Sequence, residues 1–347
     1  MIVELLNEDD LQAWDDYAGT HERSLFNSSY QFRNFLLRLL PKGSIPYYFV
    51  AKEYGQVVGI LPSFICNGPF GPVMNSLPWF GSNPGVLADY DEVKINLLSA
   101  MMKAAEWTKC ITATFISRPF EDVDLYDIFF DQYDHVVDKR VGTVTTLPDY
   151  AYRADFDKQL MAKIHQKTRN QIRKSLRFSN GREDKGCMKE LAEMHRVNMF
   201  AMKAPVKKME FDIISKAFKY GDNYRLYNAT IGGESVAALL LKYFNKTVDY
   251  MTPAIKVEYR HLDPLHGLIY QAMTDAAKAG YKYWNWGGTT IPGMESVLHF
   301  KQRFGGESQN YTYYTRILRQ IPKGTTKQEL LKGYPYFYVI PFRQIED

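Results

Sequence analysis

The sequence predicts a mixed α+β (mixed α/β) fold that is built as two similar domains. A chain of 347 residues is long for a single domain. Both halves contain helical and strand-like periodicities. The same order occurs in each half: helices, a hairpin over a glycine turn, a helix and a strand. No sequence identity accompanies this order, so a duplication is inferred from the order alone. We place the domains at residues 1–150 and 151–320, with a C-terminal tail at 321–347 that packs on them.

The first half has apolar spacings typical of amphipathic helices and half-buried strands. Phe32, Phe35, Leu36 and Leu39 recur at helical spacing, and Pro41 ends that helix. The predicted elements are helices at 8–18 and 29–40, a hairpin of 47–52 and 56–65 over "EYGQ", a helix at 92–108 and a strand at 111–117. The Gly- and Pro-rich stretch 67–85 predicts a loop or an edge strand, and 119–153 shows little regularity.

The second half repeats this order with a longer helical start. The hairpin turns at "GGE", and Gly280 follows the last long helix. The predicted elements are helices at 157–178, 187–202 and 210–219, a hairpin of 224–231 and 235–243, a strand at 247–254, a helix at 265–279 and a strand at 283–286. The Tyr- and Pro-rich segment 333–342 is predicted to pack as a terminal strand.

Composition excludes several classes of function. A net charge of +4 is too mild to indicate DNA binding. The three cysteines are isolated from one another and from histidines, which predicts reduced thiols, no metal site and a cytoplasmic protein. The N-terminus lacks a signal peptide, and the longest apolar runs are too short to span a membrane. No motif indicates nucleotide hydrolysis, serine hydrolysis or zinc chemistry, and no tightly bound cofactor is expected.

The segment 158–182 is the most biased in charge, with eight Lys or Arg residues and no acid. Arg169, Arg173 and Arg177 repeat at i, i+4 spacing, where like charges repel each other. Together with Lys167, they predict a helix face that binds phosphate or pyrophosphate. The alternative is an ordinary solvated face.

Two further segments place anion-binding features at the ends of strands. Asp263 and Pro264 begin a helix whose first turn contains His266 and Gly267, where free N–H groups favour an anion. A glycine pair, Gly287 and Gly288, follows the aromatic strand that ends at Trp286, and Lys301 and Arg303 come shortly after. Glycines there allow the backbone to approach a ligand. An ordinary capped helix and a tight turn are the respective alternatives.

These segments resemble a known family. "WNWGGTT" followed by "FKQRFGG", and preceded by "DPLHGLIYQAMTDAAKAGY" and "KTRNQIRKS", is similar to the FemAB-like branch of the GNAT acyltransferase superfamily. That branch includes peptidoglycan-bridge aminoacyltransferases and related acetyltransferases. In the first half, "VVGILPSF" and "GPFGPVMNSLPWFGSNPGVL" resemble its first unit. The resemblance covers about residues 14–318.

The resemblance implies two GNAT-like domains, each with a mixed, mostly antiparallel sheet flanked by helices. It implies transfer of an acyl or aminoacyl group to an amine, with acyl-CoA or aminoacyl-tRNA as co-substrate. Lys301 would stabilise negative charge near the transferred carbonyl, Arg169 and Arg173 would face phosphates, and the glycine pair would lie beside the donor. The chain departs from ordinary GNAT enzymes at "RHLDPLHG", which keeps little of the coenzyme A loop, and it lacks the coiled-coil arm of some bridge-forming members.

The leading functional hypothesis is direct attack of an amine on a thioester or ester carbonyl. Backbone N–H groups near 250–253 would bind the oxyanion, which makes Tyr250 and Thr252 donor-site residues together with Trp286. Tyr270 or Glu258 would relay the proton. The acceptor would be a small molecule or a cell-envelope precursor. Two alternatives remain: a tRNA-dependent aminoacyltransferase acting on a peptidoglycan precursor, and a non-catalytic carbohydrate- or lipid-precursor binding protein. Peripheral association with a membrane is compatible with each.

Overall fold

A computed structural model describes residues 1–79, 84–119, 121–201 and 211–345. Its strands are β1 (Ile2–Leu5), β2 (Ile45–Pro46), β3 (Phe49–Glu53), β4 (Gln56–Leu61), β5 (Phe64–Gly68), β6 (Gly71–Asn75), β7 (Leu87–Ala88), β8 (Thr112–Ile116), β9 (His135–Thr146), β10 (Asn180–Glu183), β11 (Tyr224–Ile231), β12 (Glu234–Phe244), β13 (Thr247–Ile255), β14 (Tyr283–Thr289) and β15 (Glu307–Ile317). Its α-helices are α1 (Leu11–Thr20), α2 (Tyr30–Leu39), α3 (Asp91–Trp107), α4 (Asp124–Phe130), α5 (Arg153–Lys163), α6 (Gln166–Phe178), α7 (Met188–Ala201), α8 (Phe211–Ala217), α9 (Pro264–Lys278), α10 (Glu295–Arg303) and α11 (Lys327–Gly333).

The chain divides into two compact units. Unit 1 contains Met1–Gly142 and Gln309–Asp347, and unit 2 contains Thr143–Ser308. The C-terminal segment therefore groups with the first unit, whereas the sequence assigned it partly to the second domain and partly to a tail. The α+β class with two similar domains is confirmed, because each unit combines helices with a mostly antiparallel sheet. The assignment of catalysis to the second domain stays a prediction.

Unit 1 contains a small antiparallel sheet, in the order β1-β3-β4-β7, and a second sheet in which β15, β8, β6, β5 and β2 are neighbours. Strands β6 and β8 run parallel because α3 crosses over between them. Apolar residues of α3, such as Leu97 and Met101, are fully buried and pack in one cluster with Phe115 of β8. Burial of side chains of this size stabilises the fold by about 1.5–3 kcal/mol each.

Unit 2 repeats this arrangement around the strand order β10-β11-β12-β13-β14. The neighbours are antiparallel except β13 and β14, which run parallel and are joined by α9. Helix α9 begins with Pro264 at its first positions, after Asp263 in a left-handed conformation. Its residues Leu268 and Ile269 are buried in the same core as Leu239 of β12 and Trp284 of β14.

The single helix predicted for 157–178 is wrong, because the structure divides it into α5 and α6. Ile164 is buried in an extended conformation, and the imidazole of His165 accepts a hydrogen bond from the Lys167 N–H to begin α6. Arg169 Nη1 donates to the carbonyls of Met161 and Ile164, each at 3.0 Å. The arginine thus gives hydrogen-bond partners to carbonyls that the end of α5 leaves unsatisfied. Helix α5 can therefore end there without a following helical turn.

The irregular segment at 119–153 and the strand at 333–342 were also predicted wrongly. The first contains α4 and the long strand β9, whose half-exposed residues lack a clean alternation. No strand forms among the described residues after β15. The side-chain amide of Asn75 takes the place of a strand instead. It accepts from the Tyr338 N–H at 2.7 Å and donates to its carbonyl at 2.8 Å. Neighbouring prolines restrict a regular ladder there.

Candidate active site

The parallel strands β13 and β14 separate towards their C-terminal ends. Their pairing ends at Asp249 and Asn285, although both strands continue. We call the space between the two segments that no longer pair with each other, Tyr250–Ile255 and Trp286–Thr289, the wedge. Ligands of open sheets with parallel strands bind at the carboxyl ends of those strands. The wedge is therefore the candidate active site of unit 2.

A β-bulge lies in β13 at the entrance to the wedge. Leu240 of β12 is opposite Thr252, whereas the next residue, Leu241, is opposite Tyr250. Met251 is thus the extra residue, with no partner in the register of β12. A bulge of this kind re-aims the backbone groups next to it. The bulge lies within 250–253, where the sequence predicts the donors that bind the oxyanion.

Lys301 and the glycine pair come together at the end of β14. Lys301 Nζ donates to the carbonyls of Gly287 at 3.1 Å and Gly288 at 3.0 Å, and to Thr289 Oγ1 at 2.8 Å. Lys301 is 5% exposed, and burial lowers the pKa of its amine to about 8. The three acceptors favour the ammonium form, so we expect a protonated Lys301 at neutral pH.

His266 belongs to an aromatic cluster beside this site. Its ring stacks on that of Phe304, with the ring centroids 5.7 Å apart. The ring centroid of Trp286 lies 5.3 Å from that of Phe304 and 4.9 Å from that of Tyr250. Burial lowers the pKa of His266, and its buried Nδ1 lies 3.7 Å from the carboxylate of Asp263. Burial therefore disfavours the charged form of this imidazole, which is the form that the predicted phosphate contact uses.

The first turn of α9 is largely engaged by the protein itself. The Gly267 N–H donates to Ser175 Oγ of α6 at 3.2 Å, and the His266 N–H donates to the Asp263 carbonyl at 2.9 Å. A Cβ atom at Gly267 would lie 2.4 Å from Ser175 Oγ. The glycine thus permits close packing of two helices. This turn does not offer the row of free N–H groups that a coenzyme A pyrophosphate needs.

The basic residues of α6 have different environments. Arg169 is held against the end of α5, as described above. Lys167 and Arg173 are exposed, and Arg173 Nη1 donates to Asn170 Oδ1 at 3.1 Å. Lys174 Nζ donates to the His261 carbonyl and lies 3.5 Å from Asp263. Lys167 and Arg173 are thus accessible to a ligand and Arg169 is not, and phosphate binding by this helix stays a prediction.

The remaining predicted residues lie elsewhere in unit 2. Tyr270 donates its hydroxyl to Asp157 of α5 at 2.6 Å, and burial together with this carboxylate raises its pKa. Glu258 is exposed on the 3₁₀-helix Val257–Leu262. Arg303 is exposed, and its carbonyl accepts from the His165 N–H. Among the described residues, none of these side chains is hydrogen-bonded to Lys301.

Sequence reasoning missed a buried polar network at the point where the strands separate. Asn285 Nδ2 donates to Asp249 Oδ1 at 2.7 Å, and Asn285 Oδ1 accepts from the Gly287 N–H at 3.0 Å. Lys242 Nζ lies 3.6 Å from Asp249. Burial raises the pKa of Asp249 and lowers that of Lys242. A lone acid within the apolar strand "TVDYM" was the available signal, since buried charges need partners.

Comparison with known proteins supports this description. Residues 162–302 match the family model for an acetyltransferase (GNAT) domain. A comparison with curated proteins found no match. Among solved structures, FemX superposes with a TM-score of 0.72 at 12% identity, over 90% of this chain and 97% of that one.

Two other structures are similar. They are L-PGS from Bacillus licheniformis (TM-score 0.56, 12% identity, 93% of this chain and 96% of that one) and a tandem GNAT protein from the clavulanic acid biosynthesis pathway (TM-score 0.51, 11% identity, 92% and 100%). At such identities the likeness concerns the fold.

No helix among the described residues is long and apolar enough to cross a membrane. Residues 162–302 thus match a GNAT acetyltransferase domain, and the resemblance of the chain to the FemAB-like branch is confirmed at the level of the fold.

Proposed function

We propose that this protein transfers an acyl group to an amine within the wedge of unit 2. The observation that carries the proposal is the pairing of β13 and β14, which ends at Asp249 and Asn285 and opens the sheet beside Lys301. An extended acyl donor fits between two separated strands, because their backbone groups can bind it along its length. The GNAT match at 162–302 supports the same class of reaction.

The reaction is direct. The amine nitrogen of the acceptor forms a bond to the carbonyl carbon, and the electron pair of the carbonyl moves to its oxygen. Backbone N–H groups at the bulge around Met251 bind this oxyanion. Lys301 donates its three N–H groups to Gly287, Gly288 and Thr289 and so holds the end of the opposite strand, β14, in place. The C–S bond of a thioester then breaks, and the proton of the new ammonium passes to the departing thiolate. Of the two predicted relay residues, Glu258 has the exposed carboxylate, whereas Tyr270 is engaged with Asp157.

Acyl-CoA is the first proposed donor, with its phosphates bound by side chains of α6. Lys167, Gln171 and Lys174 lie at i, i+4 and i+7 on one side of this helix. Gln171 Nε2 donates to Asp263 Oδ1 at 3.1 Å, which places that side next to the start of α9. Cations on α6 would thus bind the phosphates in place of the N–H groups in the first turn of α9, which are engaged within the protein.

We expect the double variant Lys167→Gln/Lys174→Gln to raise the KM for the donor about tenfold with little change in kcat, because uniform binding of the phosphates is lost. The measurement is steady-state kinetics at several salt concentrations. The control Lys219→Gln/Lys278→Gln removes the same charge from other exposed positions of unit 2. An equal effect of both double variants would show that only net charge matters.

Aminoacyl-tRNA is the second candidate donor. The engaged N–H groups of α9 and the exposed cations of α6 both favour a donor whose phosphates lie outside the usual coenzyme A loop. Binding through several phosphates would weaken steeply with salt. Acyl-CoA binding would respond less, because it involves fewer charges.

The test of the proposed function is an assay with purified protein. Acyl-CoAs or charged tRNA are mixed with a panel of primary amines, including cell-envelope precursors. Release of thiol or uncharged tRNA and the mass gain of the amine are measured together. Stoichiometric transfer is the expected result. Tight binding of a precursor without transfer from either donor would instead support a non-catalytic binding protein.

A further inference from the structure

The far end of β13 is held by a side chain in place of a strand. Asn198 of α7 donates its Nδ2 to the Ile255 carbonyl at 2.7 Å, and its Oδ1 accepts from the Ile255 N–H at 3.0 Å. One planar amide thus satisfies both backbone groups of one residue, as a neighbouring strand would. Asn198 is 8% exposed, so these bonds are shielded from water.

The direction of these bonds places Asn198 on the side of β13 that faces the wedge. The Lys256 N–H donates to the Val236 carbonyl at 2.9 Å, and Ala237 is opposite Ile255 in the register. This pattern makes Ala237 and Ile255 a non-hydrogen-bonded pair, in which the N–H and C=O of Ile255 point away from β12. The opposite side of β13 is the one on which β14 pairs further back.

The opposite strand is held by a second asparagine. Asn285 Oδ1 accepts a hydrogen bond from the Gly287 N–H, and Gly287 has a φ of +75°. The chain therefore curls towards its own side chain at the first glycine. The Nδ2 of the same amide is bonded to Asp249, which fixes the last residue pair before the strands separate.

We propose that Asn198 and Asn285 are positioning residues that keep β13 and β14 apart and hold the wedge open for the donor. Each amide occupies backbone hydrogen-bonding groups at one strand end: both groups of Ile255 in β13 and the N–H of Gly287 in β14. The separated strands then leave none of these backbone groups without a hydrogen-bond partner. The inference rests on the proposed function only for its effect on acyl transfer.

The test compares Asn198→Ala and Asn285→Ala with the control Asn228→Ala. Asn228 of β11 is also buried in unit 2, where its Nδ2 donates to Asp184 and its Oδ1 accepts from the hydroxyl of Ser235 in β12. Hydrogen-exchange mass spectrometry follows peptides that contain Ile255 or Gly287. We expect faster exchange at Ile255 in the first variant, at Gly287 in the second, and at neither in the control.

Kinetics give the second readout. We expect kcat/KM for the donor to fall about 10–100-fold in the two variants, because strand ends displaced by an ångström misplace the carbonyl. The control should lose comparable stability against urea and keep its kcat/KM. Unchanged exchange at Ile255 and Gly287 would overturn the structural part of the inference. Faster exchange with unchanged kcat/KM would overturn the positioning role. Absence of transfer by the unmodified protein would refute the proposed function, while the exchange data would still decide whether the amides hold the strands.

Discussion

Replacing Lys301 with methionine is expected to lower the turnover of acyl transfer about 10²-fold, the loss that a displacement of about 1 Å at the end of β14 would cause. Methionine fills most of the volume but leaves the carbonyls of Gly287 and Gly288 and the hydroxyl of Thr289 without their donor. We therefore also expect a loss of about 1–3 kcal/mol in unfolding free energy. Kinetics should be measured at a temperature at which circular dichroism shows the variant to be folded.

The pH dependence separates catalysis from structure. Because burial lowers the pKa of Lys301 to about 8, the ammonium form and the turnover that depends on it should decline as pH rises through that value. The residual activity of Lys301→Met should lack this decline. Between pH 8 and 10.5, the value of an exposed lysine, the folded state binds fewer protons than the unfolded state. Stability should then rise with pH in the unmodified protein relative to the variant.

The control for this experiment is again Asn228→Ala, which removes a buried polar group elsewhere in unit 2. It should lose stability without the loss of turnover or the change in pH profile. Near-normal turnover by folded Lys301→Met would contradict a catalytic contribution and leave Lys301 with a structural role alone.

Replacing Gly306 with alanine is expected to destabilise unit 2 by about 1–3 kcal/mol, as overpacking of a closed site does. A Cβ atom there would lie 2.5 Å from Thr143 Cγ2 and 2.7 Å from the carbonyl oxygen of Lys301. The carbonyl is backbone in the last turn of α10, so it cannot rotate away. The displaced turn carries Lys301, and turnover should fall together with stability. Urea unfolding and steady-state kinetics measure the two effects.

Gly186→Ala is the matched control. Gly186 lies in an exposed turn of the same unit, and its added Cβ would meet only the end of the Asp184 side chain at 3.3 Å. A change within about 0.5 kcal/mol is expected. A Gly306→Ala variant as stable and active as this control would refute the close approach between Gly306 and α10.

Local sequence was a good guide to elements whose apolar periodicity matched their packing. The helix predicted at 92–108 is α3, and the hairpin predicted over "GGE" is β11 and β12. The prediction failed where a side chain replaced a backbone partner. Arg169 ends α5 and allows the break before α6, and Asn75 pairs with the C-terminal segment that was predicted to be a strand. Periodicity contains no information about such substitutes, because they come from residues distant in sequence or from another helix.

The sequence by itself determined the mixed fold with its repeated order, the basic character of α6, and the motif that contains Gly287, Gly288 and Lys301. These features depend on residue type and local spacing, which can be read along the chain. Only the tertiary structure decided that Lys301 bonds to the glycine pair, that Ser175 engages the first turn of α9, and that the amides of Asn198 and Asn285 bond to backbone groups of β13 and β14. Each of these contacts joins elements across the fold. Their geometry is set by how strands and helices pack, and a buried amide or amine finds its partner only when that packing is formed.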